Sequence, residues 1–287
     1  MKVKIGTRKS KLAIAQTEMV IGEIKRKFPE AQTEMIYITT SGDRILDKPL
    51  TEIGGKGIFV SEIENALLDG SIDIAVHSAK DLPTALAPGL TISGVLKRGD
   101  YRDVLITNIG TKLETQTSFT AGTSSARRRV ELSKLYPNVI HTDIRGNVDT
   151  RLNKLASGQY DSVVLAMAGI KRLSLDTDKR FDITTFEYDS FLPAPCQGII
   201  AIETRENDEV QTIVKAISDS ETWACFETER AVIKALNADC SVPLGAYSFI
   251  ENNRIKLIIS ANGSKRVSGE AAAANSLQLV KELIKCL

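Results

Sequence analysis

Two short stretches place ionisable side chains directly after an apolar run. In AVHSAKDLP (75–83) the run ends at His77, and Ser78, Lys80 and Asp81 follow. Open α/β sheets put their ligands at the carboxyl ends of strands, so Asp81 is a candidate general acid or base, with Lys80 as a neighbouring positive charge. A turn aspartate ahead of a proline has the same local sequence. In GTSSARRR (122–129) a second run opens into a helix. Its backbone N–H groups and the hydroxyls of Thr123, Ser124 and Ser125 would face an anion at the helix N-terminus. Arg127 and Arg128 add forked donors that match carboxylates. A solvated basic face is the competing reading of the triple arginine. GTRKS (6–10), GGKG (54–57) and IRGNVDTR (144–151) repeat the theme, setting Arg8, Ser10, Lys56, Arg145, Gly146 and Arg151 after strands or inside glycine turns. Four such elements drawn from two lobes imply a cation-lined cleft for a small molecule with several carboxylates or phosphates.

ALNADCSVPLGAY (235–247) carries a thiol, Cys240, between an acidic residue and a Ser-Val-Pro-Leu-Gly turn. Taken alone it reads as a small buried hydrophobe. The other cysteines, Cys196, Cys225 and Cys286, form no CxxC pair with it, and with two histidines in the chain no zinc-ligand spacing occurs, so no metal is expected. GGKG lacks the P-loop spacing, no GxGxxG follows a strand and no GxSxG elbow is present. Lys and Arg number 37 against 36 Asp and Glu, a net charge of +1, which gives no general attraction to nucleic acid or anionic membrane. The N-terminus has no signal-peptide pattern and no run reaches the ~18 apolar residues of a membrane span. A cytoplasmic protein with reduced thiols is expected, with no nucleic-acid or membrane partner.

The elements that must position these residues alternate. Apolar runs at 3–7, 33–40, 72–77, 103–107, 119–122, 138–143, 161–166 and 199–203 read as strands, with helical spacing at Ala13–Phe28, Phe59–Leu67 and Val148–Ala156 between them. This is the pattern of βαβ units with a mainly parallel sheet. KRGDYRD (97–103) and FLPAPCQG (191–198) read as paired crossings between two α/β lobes. The expected division is 1–98 with 199–217, then 99–198, then a small α+β domain at 218–287 that carries Cys240. In that third domain a helix over about 221–236 precedes antiparallel strands with Asn-Asn and Asn-Gly turns and a helix at 275–286.

Taken together, GTRKSKLAIAQ, GDRILDKPL, GGKGIFVSEIE, DIAVHSAKDLP, GTSSARRR, IRGNVDTRLNKL, LAMAGIKRL and DCSVPLGAY resemble the porphobilinogen deaminase (hydroxymethylbilane synthase) family over residues 3 to 250. The resemblance implies a transferase of tetrapyrrole and heme biosynthesis, built from two periplasmic-binding-protein-like lobes and a small C-terminal domain. It implies condensation of four porphobilinogen molecules with release of ammonia, on a dipyrromethane cofactor that Cys240 holds through a thioether. Asp81 falls on the catalytic aspartate. Lys80, Asp81, Thr123, Ser124, Ser125, Arg127, Arg128, Arg145 and Gly146 fall on cofactor-binding positions. Arg8, Ser10, Lys56, Phe59, Arg145, Arg151 and Gln197 fall on substrate-binding ones. The implied enzyme works as a monomer. A two-lobed module that binds an anion without catalysis is the alternative, because a shared fold does not fix function. The chain departs from the family at LPAPCQG, where a valine and glycine more often precede the glutamine and Cys196 adds a second thiol.

Overall fold

The computed structural model describes residues 2–40, 61–115, 117–238, 242–263 and 265–287. Lys56, Phe59 and Cys240 lie outside the described residues. Among the described residues the chain forms two five-stranded sheets and one three-stranded sheet, distributed over two compact units: 1–98 with 199–226, and 99–198 with 227–287.

In the first unit the strands are β1 (Lys2–Thr7), β2 (Gln32–Tyr37), β3 (Ile74–Ser78), β4 (Leu90–Val95) and, from the returning chain, β10 (Ile200–Arg205). Their order is β2-β1-β3-β10-β4. β1 pairs in parallel with β2 and β3, and β10 runs antiparallel to both of its neighbours, so four strands point one way and one is inserted against them. Parallel neighbours need a crossover, and α1 (Lys11–Lys27) supplies the one between β1 and β2. Ser10 caps it, its Oγ accepting from the Ala13 amide at 3.3 Å, and Lys25, Arg26 and Lys27 fill the last turn where the helix dipole favours cations. Val20 and Ile24 pack on Val3, Ile5, Ile74 and Val76 together with α6 (Val210–Ile217). Each such side chain buried contributes about 1.5–3 kcal/mol. The other sheet face is covered by α2 (Ser61–Leu68), through Ile63 and Leu67 on Ile72, Ala75 and Leu90. β3 is therefore buried on both faces, as its apolar sequence requires.

The second unit repeats the plan. β5 (Asp103–Asn108), β6 (Phe119–Gly122), β7 (Val139–Thr142), β8 (Ser162–Ala166) and β9 (Phe181–Thr185) lie in the order β7-β6-β8-β5-β9, with β5 antiparallel to β8 and β9. α3 (Ala126–Leu135), α4 (Val148–Ala156) and α5 (Met167–Arg172) connect them. α7 (Ser220–Ala235) leads to the antiparallel meander β11 (Leu244–Glu251), β12 (Arg254–Ala261), β13 (Val267–Ala272), covered by α8 (Ser276–Ile284). Asn252, Asn253, Asn262 and Gly263 all have positive φ, so the hairpins turn where Asn-Asn and Asn-Gly predict. The composition gave no warning of β4 and β9. β4 contains Gly94, where a Cβ would lie 2.9 Å from Val214, so α6 packs too closely for any other residue.

The segment at 99–102 is pinned by ions. Asp100 accepts from Arg102 at 2.8 Å and from Lys171 at 2.7 Å, and Arg102 also reaches Glu187 at 2.7 Å. Burial pushes the Asp100 carboxyl up, but the bonds from Arg102 and Lys171 outweigh it and hold the group well below the usual carboxylate range. A carboxyl depressed in the folded state stabilises fully above its unfolded value, near 4, and loses that stabilisation as pH falls further. Asp100→Asn should accordingly lower stability at pH 7 by on the order of 1 kcal/mol, allowing for solvent screening, and chemical denaturation in steps from pH 7 to pH 3 should show the gap closing.

Candidate functional site

β3 delivers Asp81 through one 3-10 turn, Ala79–Asp81. The turn hangs from the return strand, because the Ala79 amide donates to the Ile199 carbonyl at 3.0 Å, and buried Leu82 closes it. On the α1 side Gln16 Nε2 donates to Ser78 Oγ at 2.8 Å. Lys80 is half-buried, whereas Asp81 is exposed and makes no hydrogen bond or ion pair among the described residues. Arg8 and Ser10 sit between β1 and α1 in the same unit. Ser10 Oγ accepts from the Ala13 amide as the helix cap, which leaves its O–H donor outside that bond.

In the second unit the GTSS and IRGN stretches come together. Ser124 Oγ donates to the Ile144 carbonyl and accepts from the Ile144 amide, both at 3.1 Å. Thr123 Oγ1 accepts from the Ser125 amide at 3.2 Å, and Ser125 caps α3 through the Arg128 amide at 3.4 Å. Gly146 has φ +109°, and a Cβ there would lie 2.6 Å from Thr150, so this turn requires glycine. Arg151 Nε donates to the Gly146 carbonyl at 2.8 Å, and Lys154 bonds the Arg145 carbonyl at 3.2 Å.

Arg127 and Arg128 turn inward. Both reach the fully buried Asp103, Arg127 through Nη1 at 2.8 Å and Arg128 through Nε at 2.8 Å. Arg127 also donates to the Leu192 carbonyl and Arg128 to that of Val164. Two guanidinium groups share one carboxylate, so these three groups keep a net charge of one positive unit (two minus one). Arg127 Nε is a buried donor with no partner among the described residues. Asp103 lies 24 residues before Arg127, and no local pattern in the sequence marks it as the partner.

Gln197 is fully buried and ties the two crossing segments, its Nε2 donating to the Tyr101 carbonyl at 2.8 Å. Beside it Cys196 is fully buried with φ +62°, a conformation that costs a non-glycine residue about 1–2 kcal/mol. Its amide donates to Glu229 Oε2 on α7. The other oxygen of Glu229 accepts from the Ser248 amide at 2.7 Å and its hydroxyl at 2.8 Å on β11. Glu229 thus ties the helix before residues 239–241 to the strand after them.

One cation escaped the sequence reading. Arg172, at the end of α5, donates to the Gly198 carbonyl at 2.6 Å and has no carboxylate partner among the described residues. Burial lowers its guanidinium to about 10, which leaves it charged at neutral pH. Arg145 likewise makes no side-chain hydrogen bond or ion pair among the described residues. The signal for Arg172 was present, since LAMAGIKRL leaves a strand as AVHSAKDLP does.

Each of the two α/β sheets, built to one plan, carries hydroxyl and cationic groups near its strand ends. The family described as porphobilinogen deaminase, dipyrromethane cofactor binding domain, matches residues 3–212, and the porphobilinogen deaminase C-terminal domain matches residues 223–287. The chain belongs to the porphobilinogen deaminase family. It is 44% identical over 257 residues to the porphobilinogen deaminase of Acetivibrio thermocellus, covering 90% of this chain and 86% of that one. It is 40% identical to that of Brevibacillus brevis over 293 aligned positions, covering 100% and 94%. A more distant likeness joins it to the periplasmic VFT2 domain of BvgS from Bordetella pertussis, with TM-score 0.43 at 16% identity over 79% of this chain and 92% of that domain.

Proposed function

We propose that this chain condenses four porphobilinogen molecules head to tail on a dipyrromethane cofactor bound covalently to Cys240, and then releases the linear tetrapyrrole by hydrolysis. The observation that carries the residue assignments is that Arg145 and Arg172 have no carboxylate partner among the described residues. A dipyrromethane offers acetate and propionate groups, which guanidinium donors such as those of Arg145 and Arg172 match in charge and shape. When bound, the cofactor supplies the pyrrole carbon from which the chain grows.

The protein's own residues do the rest. Thr123, Ser124, Ser125 and Gly146 shape the turn beside those cations. Lys80 adds a charge next to Asp81. Asp81 gives a proton to the amino nitrogen of porphobilinogen as the carbon–nitrogen bond breaks and ammonia leaves, and its carboxylate then faces the positive charge left on the pyrrole. Arg8, Ser10, Lys56, Phe59, Arg145 and Arg151 are assigned to the incoming substrate. Gln197, fully buried beside Cys196, is assigned to the substrate with them. A cytoplasmic enzyme fits Cys196, Cys225 and Cys286, none of which forms a disulfide among the described residues, and it is read as a monomer.

The test is turnover. Purified protein given porphobilinogen should release one ammonia per molecule consumed and yield a linear tetrapyrrole. Binding without ammonia would leave only an anion-binding module.

A further inference from the structure

The strand that carries Asp81 holds a buried polar pair for which the proposed chemistry has no use. His77 Nε2 lies 2.8 Å from Glu203 Oε2, with the His77 side chain 7% exposed and that of Glu203 0%. His77 pairs in register with Ala201, and Ala75 with Glu203, so the two polar residues are diagonal neighbours on one sheet face. That face is otherwise the apolar layer under α2, formed by Ile63, Leu67, Ile72, Ala75 and Leu90. Glu64 of α2 also faces the pair; burial pushes its carboxyl up and the charge of Glu203 adds to that, against the Ala87 amide from which it accepts at 3.1 Å.

This is a poor way to stabilise a sheet. Glu203 Oε1 is buried with no partner among the described residues, and a second carboxyl stands nearby. Replacing such a pair by apolar side chains of similar size is often neutral or stabilising. What the pair does supply is register. Side chains alternate along a strand, so a one-residue slip of β10 would carry Glu203 to the opposite face and away from His77. The same register sets the Ala79 amide against the Ile199 carbonyl, from which the Asp81 turn hangs. On the opposite face Gln16 and Ser78 hold the last residue of β3.

We infer that His77 and Glu203 are positioning residues for Asp81, fixing the end of β3 against the return strand so that the carboxyl meets the substrate at the right depth. The inference rests on the proposed role of Asp81. Misplacing a catalytic group by about 1 Å can cost on the order of a hundredfold in rate. The test replaces both residues together, His77→Leu with Glu203→Met, in the holoenzyme. The expected variant unfolds at or above the wild-type temperature, with kcat down at least tenfold and KM for porphobilinogen within twofold. A pair that serves only the fold predicts wild-type kcat once stability is kept, and that result would overturn the assignment. Should the double variant not fold, Glu203→Asp takes its place, because the carboxylate retreats by one methylene and draws away from His77. It should lose at least fivefold in kcat at unchanged KM, and wild-type kcat there would equally overturn the inference. Failure of the Asp81 reading itself shows separately, as an Asp81→Asn variant with normal rates.

Discussion

Cys240→Ser is expected to give a folded protein whose intact mass equals that of the bare chain and which turns over no porphobilinogen. Thioether formation needs a thiolate, and a serine hydroxyl is neither acidic nor nucleophilic enough to replace it. The elements on either side of residues 239–241 are tied by Glu229, which reaches from α7 to the Ser248 amide and hydroxyl on β11. That tie does not involve Cys240, so the substitution should leave the fold intact. The competing thiols differ in access: Cys196 and Cys225 are buried, and Cys286 is exposed near the C-terminus. Intact-mass measurement followed by peptide mapping decides the matter. Wild-type protein should carry an added dipyrromethane on the peptide containing Cys240. An adduct on Cys286 or Cys196, or a serine variant with normal activity, would refute the assignment.

Much of the local structure was legible because its signals are local. GTSSARRR opens a helix that Ser125 caps, and the Asn-Asn and Asn-Gly turns fall where those residues favour positive φ. β3 was readable because both of its faces are covered, which leaves a continuous apolar run. β9 was not, since its residues alternate between buried and exposed over only five positions at a sheet edge. The partners of the charged residues were also out of reach. Asp103 reads as the first residue of a strand, and only the antiparallel insertion of β5 between β8 and β9 brings it to Arg127 and Arg128. From sequence, Arg127 and Arg128 offered themselves to ligand carboxylates or to a solvated face, whereas both hold a buried carboxylate of the protein itself. One consequence is that Arg127 or Arg128 substitutions weaken the fold as well as any ligand contact, because removing one side of a buried ion pair costs about 3–5 kcal/mol. Loss of activity in those variants cannot be read as loss of binding unless stability is measured beside it.

Asp81 is free of that complication, and its replacement should separate chemistry from folding. The carboxyl is exposed and bonds to nothing among the described residues, while the turn that carries it is fixed by the Ala79 amide, by buried Leu82 and by Ser78. Asp81→Asn keeps the volume, and a surface change away from any buried contact shifts stability by no more than about 0.5 kcal/mol. The amide can neither pass a proton to the departing nitrogen nor neutralise the positive charge that remains on the pyrrole. General acid–base assistance contributes about a hundredfold to ten-thousandfold, so ammonia release should slow by at least about a hundredfold. Because the cations proposed to grip the substrate carboxylates are untouched, KM should move little, and the loss should fall on kcat. The measurement is the rate of ammonia release over a range of porphobilinogen concentrations, with thermal unfolding recorded on the same preparation. Unchanged unfolding with kcat cut a hundredfold places Asp81 at the reacting bond. Unchanged unfolding with near-normal kcat would remove it from the mechanism and return the Lys80–Asp81 pair to the role of an ordinary turn before a proline.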